Sequence, residues 1–165
     1  VYAAALPQGD QLNGRPLHFE SISDFEKRLT TNVTGALLCV RSASKLMLAS
    51  KSMRVILLSS AAGWAFTKGF GPYNVSKAAL NNLGASLAEE YGASFPENLV
   101  QINVIDPGEA RTEMNQGSHV SPNEILDMIG ALLTTPKENG PNGKFFHRDG
   151  RSLPFCCSRP HPIKQ

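Results

Sequence analysis

Cysteine, tryptophan and an excess of one charge are all scarce in this sequence. Its 165 residues hold three cysteines and one tryptophan, and the formal net charge is +2. Cys39 stands alone in an apolar stretch, and Cys156 and Cys157 are adjacent near the end, without Cys-x-x-Cys spacing. An odd count with no framework argues against a disulfide-stapled domain and for a reducing, cytoplasmic setting. Cys39 is then expected to be a small core residue. Neither the cysteines nor His18, His119, His147 and His161 have metal-ligand spacing, so no metal site is expected. The small charge is spread along the chain, which argues against a nucleic-acid partner. No apolar run approaches the roughly 20 residues that span a bilayer. No basic stretch followed by an apolar one reads as a signal peptide. The chain opens on Val1 rather than Met, which points to processing or truncation.

Apolar pattern is plentiful, and it organises the chain. Residues 1–20, rich in Ala, Pro, Gly, Gln and Asn, read as a loop. Ser23, with Glu26 three residues on, predicts a capping box opening a long helix over 24–49. Phe25, Leu29, Val33, Leu37, Val40 and Leu48 fall near one face of it. Its middle, LTTNVTG from Leu29 to Gly35, gathers poor helix formers. A local rule broken inside a long helix marks a functional kink.

RVILLSS, Arg54 to Ser60, is a continuous apolar run, as in a strand buried on both faces. SAAGWAFTKGFG reads as a loop, in which Trp64 and Phe66 either line a pocket or pack in the core. Pro72 suits the first turn of a helix over 72–92, with Val75, Ala79, Leu83 and Leu87 at helical spacing. LVQINVID, Leu99 to Asp106, is a second buried strand, closed by Pro107-Gly108. A helix is predicted over 122–134, a turn over 140–143 and a short strand over 144–147. Residues 1–155 form one domain by this reading, and 156–165 an unstructured tail. Strands alternating with helices predict an α/β fold with a parallel sheet. Ligands bind beyond the carboxyl ends of such strands. The loops after Ser60 and Asp106 should therefore face one crevice.

That crevice frames GPYNVSKAAL, Gly71 to Leu80, where Tyr73 and Lys77 sit four apart on one helix face. Moving a phenol from about 10 to about 7 needs roughly 4 kcal/mol of preferential tyrosinate stabilisation. An ammonium about 4 Å away supplies roughly that at an effective dielectric near 20. The pair is thus expected to make a general acid/base poised near neutral pH. Spacing alone is weak support, since a solvated Tyr–Lys pair is common on helices. Ser60 at a strand end, Asn32 in the anomalous helix and PGEART, Pro107 to Thr112, strengthen it.

Taken together, NVTG, LLSSAAG, YNVSK and NVIDPGEART resemble the Asn, Ser, Tyr-x-x-x-Lys and Pro-Gly-x-x-x-Thr motifs of the short-chain dehydrogenase/reductases, in family order and spacing. The resemblance spans about residues 1–155 and implies the C-terminal part of a Rossmann-like NAD(P)-binding fold. It implies hydride transfer between NAD or NADP and a small carbonyl or alcohol substrate. By resemblance, Tyr73 exchanges the proton, and Lys77 lowers the pKa of Tyr73 and holds the nicotinamide ribose. Ser60 binds the substrate oxygen, and Asn32 holds a water in a proton relay. Pro107, Gly108 and Thr112 line the nicotinamide pocket, and 113–130 forms a substrate lid. A homodimer or homotetramer built on the two long helices is implied as well.

The family's Thr-Gly-x-x-x-Gly-x-Gly fingerprint occurs nowhere in the 165 residues. Its Asn-Asn-Ala-Gly motif would fall just before Val1, so the chain is expected to begin after the fourth strand of a seven-stranded sheet. The strand at 54–59 would then carry an open edge. The two functional readings are an oxidoreductase represented in part, and an inactive homologue acting as an interaction module.

Overall fold

The computed structural model describes residues 1–7, 17–50, 53–96, 100–136, 138 and 140–155. The tail at 156–165, with Cys156, Cys157 and His161, lies outside them. The elements are α1 (Ile22–Leu29), α2 (Gly35–Ala49), β1 (Met53–Leu58), α3 (Ala62–Ala65), α4 (Gly71–Ser94), β2 (Val100–Asp106), α5 (Leu126–Thr134), β3 (Phe145–His147) and β4 (Ser152–Leu153). The sheet runs β1-β2-β3-β4, parallel through β3 and closed by antiparallel β4. This is the expected α/β architecture with two additions, the short α3 in a stretch expected to be loop and strand β4. Strand β4 follows from Asp149-Gly150, where Gly150 takes φ of 88° in a tight turn.

Helices cover both faces, which explains the unbroken apolar runs in the strands. Leu57, Val104 and Phe145 pack with Ala36 of α2 and Leu80 of α4 on one face. Ile56 and Ile105 pack on the other against Met128 and Leu132 of α5. Because strand side chains alternate, one register of β1 on β2 serves both cores.

Several helical expectations are corrected. Helix α1 is capped by Ser21, not Ser23: the Ser21 Oγ accepts from the Asp24 N–H at 3.0 Å. The 24–49 helix is split by a π-helical turn at Thr30–Thr34, which is the kink expected from LTTNVTG. The wider turn rotates the buried face that follows. Asn32, Ala36, Val40 and Met47 point inward, while Leu37 is exposed. Cys39 is exposed too, not a core residue. In α4 the predicted stripe holds in part: Leu87 is buried and Leu83 packs against the core, but the buried face is centred elsewhere. Ser76, Lys77, Leu80, Asn81, Gly84 and Leu87 face the core, and Val75 is exposed. Gly84 permits this, since a Cβ there would stand 2.5 Å from Val104 Cγ2.

The edge of β1 is not bare. Tyr2 bridges Leu57 in parallel, its N–H donating to Ile56 O at 2.8 Å and its carbonyl accepting from Leu58 N at 3.0 Å. The Tyr2 hydroxyl donates to Thr31 O at 2.6 Å, tying that bridge to the π-turn. Residues 1–20 are therefore not all loop; a 3-10 turn also forms at Leu17–Phe19. No helix among the described residues is long and apolar enough to cross a membrane.

Candidate active site

Strands β1 and β2 end side by side, with Ser59 N donating to Ile105 O at 2.7 Å. Ser60 and Pro107-Gly108 leave from those ends, and the N-terminal half of α4 passes behind them. The Ser60 Oγ accepts from Ala62 N at 3.1 Å, and the Ser60 hydroxyl lies near enough to the half-buried Tyr73 phenol to favour its ionised form. Lys77 is 2% exposed and reaches the strand end, where Nζ donates to Leu58 O at 2.9 Å. Nζ stands 5.5 Å from the Tyr73 ring centroid, a cation over a π-face.

The electrostatics differ from the expected ones. Burial pushes the Tyr73 phenol above its ordinary 10; the Ser60 hydroxyl opposes this, and the Asp106 carboxylate adds to it. Burial pulls the Lys77 ammonium down to about 8, against the pull of Asp106. Desolvation disfavours both charged forms, and in the chain without a dinucleotide both shifts run against a phenol brought down towards neutral pH. At neutral pH the pair is a protonated phenol above a protonated lysine, and a protonated phenol suits a proton donor.

Asn32 is fully buried and its polar atoms are engaged. Its Oδ1 accepts from Leu6 N at 2.7 Å, and its Nδ2 donates to Leu6 O at 3.2 Å and to Ser76 Oγ at 2.9 Å. Ser76 Oγ in turn donates to Tyr73 O at 2.9 Å. The π-turn thus aims Asn32 at the turn of α4 that carries Tyr73 and Lys77. Gly108 has φ of 64°, which favours glycine, and its N–H donates to Asp106 Oδ1 at 2.9 Å. Thr112 is exposed, in a loop closed by its N–H to Asn115 O at 3.4 Å and by Asn115 N to Thr112 O at 3.0 Å.

Two of the sequence-level candidates divide. Trp64 packs against the Ala36–Leu80 core, while Phe66 is 68% exposed with a left-handed φ of 51°. Asp106 was missed. It is 3% exposed beside both Tyr73 and Lys77, and a carboxylate at a strand end just before Pro-Gly was a readable signal.

The profile of the short chain dehydrogenase family matches residues 3–122. The chain belongs to the short-chain dehydrogenase/reductases. A 3-oxoacyl-[acyl-carrier-protein] reductase of Synechocystis is 28% identical over 147 residues, covering 81% of this chain and 58% of the relative. An A-factor type gamma-butyrolactone 1'-reductase of Streptomyces virginiae is 36% identical over 60% of this chain and 37% of its own length. Among solved structures, a short-chain dehydrogenase from Pseudomonas syringae superposes with a TM-score of 0.72 at 27% identity, over 81% of this chain and 56% of that one. Another from Shigella flexneri, complexed with NADP, shares the fold with a TM-score of 0.68 at 20% identity, over 90% and 59%. The chain therefore spans about half the length of these relatives.

Family members work with NAD(P), and the residues present fit the nicotinamide half of such a group. The buried Lys77 ammonium has three donors and gives one to Leu58 O, which leaves capacity for ribose hydroxyls. The Ser60–Tyr73 hydroxyl pair lies beside it at the strand ends. The glycine-rich pyrophosphate motif is not among these 165 residues.

Proposed function

We propose that this protein works as an NAD(P)-dependent carbonyl reductase. The carrying observation is the Ser60–Tyr73 hydroxyl pair over a buried Lys77, at the carboxyl ends of two parallel strands. When bound, the dinucleotide supplies or takes the hydride. Everything else falls to this chain. Tyr73 passes its phenolic proton to the carbonyl oxygen, and its raised pKa favours that direction. The Ser60 hydroxyl donates to the same oxygen and stabilises the charge that develops there. Lys77 holds the ribose and, while charged, stabilises the tyrosinate left behind.

Asn32, through Ser76, holds the Tyr73–Lys77 turn in place. A water carried by Asn32 towards Lys77 belongs to the same reading. Pro107 and Gly108 line the nicotinamide, and Thr112 holds its carboxamide. Phe66, exposed at the end of α3 in the loop that follows Ser60, offers an apolar contact for a small carbonyl substrate. Exposed Leu37, Leu38 and Leu46 on α2 and Val75 on α4 support a homodimer or homotetramer.

The test is the complete protein, purified, with NADH and NADPH against aldehydes and 3-oxo esters. Turnover is expected to fall about 100-fold to 10,000-fold in Tyr73→Phe, the range for removing a general acid, with dinucleotide affinity kept. No oxidation of either dinucleotide by any carbonyl would refute this and leave an inactive homologue.

A further inference from the structure

The turn from β3 to β4 carries an arginine that the reading above leaves without a role. Strand β3 hands Arg148 directly to the end of β2, where its backbone N–H donates to Asp106 O at 2.9 Å. The turn beyond is tightly held. Gly150 N donates to His147 O and His147 N to Arg151 O, each at 2.9 Å. The Asp149 carboxylate contacts His147 Nδ1 at 2.9 Å and Arg151 Nε at 3.2 Å. A rigid tip thus presents the guanidinium.

The guanidinium makes three contacts to two separate stretches of chain. Nη1 donates to Glu109 O at 2.7 Å and to Pro107 O at 3.4 Å, and Nη2 pairs with Glu124 Oε2 at 3.3 Å. It also packs close to Gly108: a Cβ there would stand 3.4 Å from Arg148 Cζ and Nη1 and 3.1 Å from His147 Nε2. Pro107–Glu109 and Glu124 are the two ends of the segment 110–123. Within that segment, Arg111 N donates to Val120 O at 2.8 Å, and most of residues 111–119 are exposed. One planar, five-donor group therefore fixes both ends of a loop that has little core of its own. An ammonium, a point donor, does not match that fork geometry.

We propose that Arg148 is a positioning residue that clasps both ends of the 110–123 segment and thereby holds Gly108 and Thr112 against the nicotinamide end of the dinucleotide. The consequence for the dinucleotide rests on the oxidoreductase reading; the clasp itself does not. Gly108 is held by its N–H to Asp106 Oδ1 and by the adjacent guanidinium, so its backbone is fixed before any ligand arrives.

The test compares Arg148→Ala, Arg148→Lys and Glu124→Gln in the complete protein. Brief trypsin treatment reads cleavage after Arg111, and calorimetry reads binding of NADPH, NADH and ADP-ribose. Arg148→Ala is expected to speed cleavage after Arg111 about tenfold, as for loss of a charge-assisted contact, with other surface sites unchanged. It should weaken the reduced dinucleotide by a similar factor and leave ADP-ribose, which has no nicotinamide, unmoved. Arg148→Lys should fail to restore either value. Glu124→Gln keeps the carbonyl contacts and should give an intermediate cleavage rate, which covers the case in which Arg148→Ala does not fold. Unchanged cleavage in Arg148→Ala, or full rescue by lysine, overturns the clasp. So does an equal loss of ADP-ribose and dinucleotide, since a general structural role predicts that. A wild-type protein that binds no dinucleotide sinks the oxidoreductase reading alone, and the cleavage rates still decide the clasp.

Discussion

Replacing Lys77 by methionine should flatten the dependence of stability on pH. The reasoning starts from burial. Lys77 is 2% exposed and its pKa falls from 10.5 to about 8. A cation whose folded pKa is lowered binds its proton more weakly in the native state. Between about 8 and 10.5 the unfolded chain holds the proton and the folded one does not, so stability rises with pH there. The whole shift corresponds to roughly 3 kcal/mol, at about 1.36 kcal/mol per unit. Between about pH 7 and about pH 9.5 the linkage relation gives a gain of about 2 kcal/mol. Lys77→Met removes this gain. It also relieves the desolvation penalty of roughly 3 kcal/mol that the buried ammonium carries near neutrality. Against that, it strips Leu58 O of its donor at a cost of about 1–3 kcal/mol, so stability near neutrality should change little. The difference therefore lies in the slope. Urea unfolding followed by Trp64 fluorescence should show the wild-type midpoint rising by about 1 M over that pH range relative to the variant. Parallel pH profiles for the two proteins would refute the argument, because the ammonium would then not be carrying a desolvation penalty.

Other outcomes follow from the same geometry. Asn32→Ala removes the bonds to Leu6 and Ser76 and should lower stability by roughly 2 kcal/mol, seen as a melting temperature lower by about 4–8 °C. An unchanged melting temperature would mean those bonds do not hold the π-turn to α4. Gly84→Ala should destabilise by about 1–3 kcal/mol despite the better helix former, since its Cβ meets Val104 and Leu57. Adding Val104→Ala should return part of that loss in chemical denaturation; simple additivity of the two changes would rule out the contact. Carbonyl reduction should hold steady through neutral pH and decline as pH passes about 8, where Lys77 loses its proton, and a rise in kcat there would contradict the role given to Lys77.

Much of the site was legible because its chemistry is local. Tyr73 and Lys77 share a face by helix geometry alone, and Ser60 and Pro107-Gly108 end apolar runs that only buried parallel strands explain. LTTNVTG announced the π-turn by gathering residues that a regular helix resists. What could not be read depended on partners distant in sequence. The π-turn rotated the helix face and put Leu37 outside, and Gly84 let α4 turn its polar side to the sheet. Tyr2 reached Leu57 across 54 intervening positions, from a stretch with no strand pattern of its own.

Sequence by itself determined the order of elements, the parallel sheet and the four side chains of the candidate site. Tertiary structure decided their protonation and their supports. A pKa depends on how much water is excluded and on which charges lie near, and neither is encoded in spacing. Burial therefore raised Tyr73 and lowered Lys77, where spacing alone implied a general acid/base poised near neutral pH. Folding likewise brought Asp106 beside that pair and set Arg148 across the loop that follows it, because strand ends far apart in sequence finish side by side in a parallel sheet.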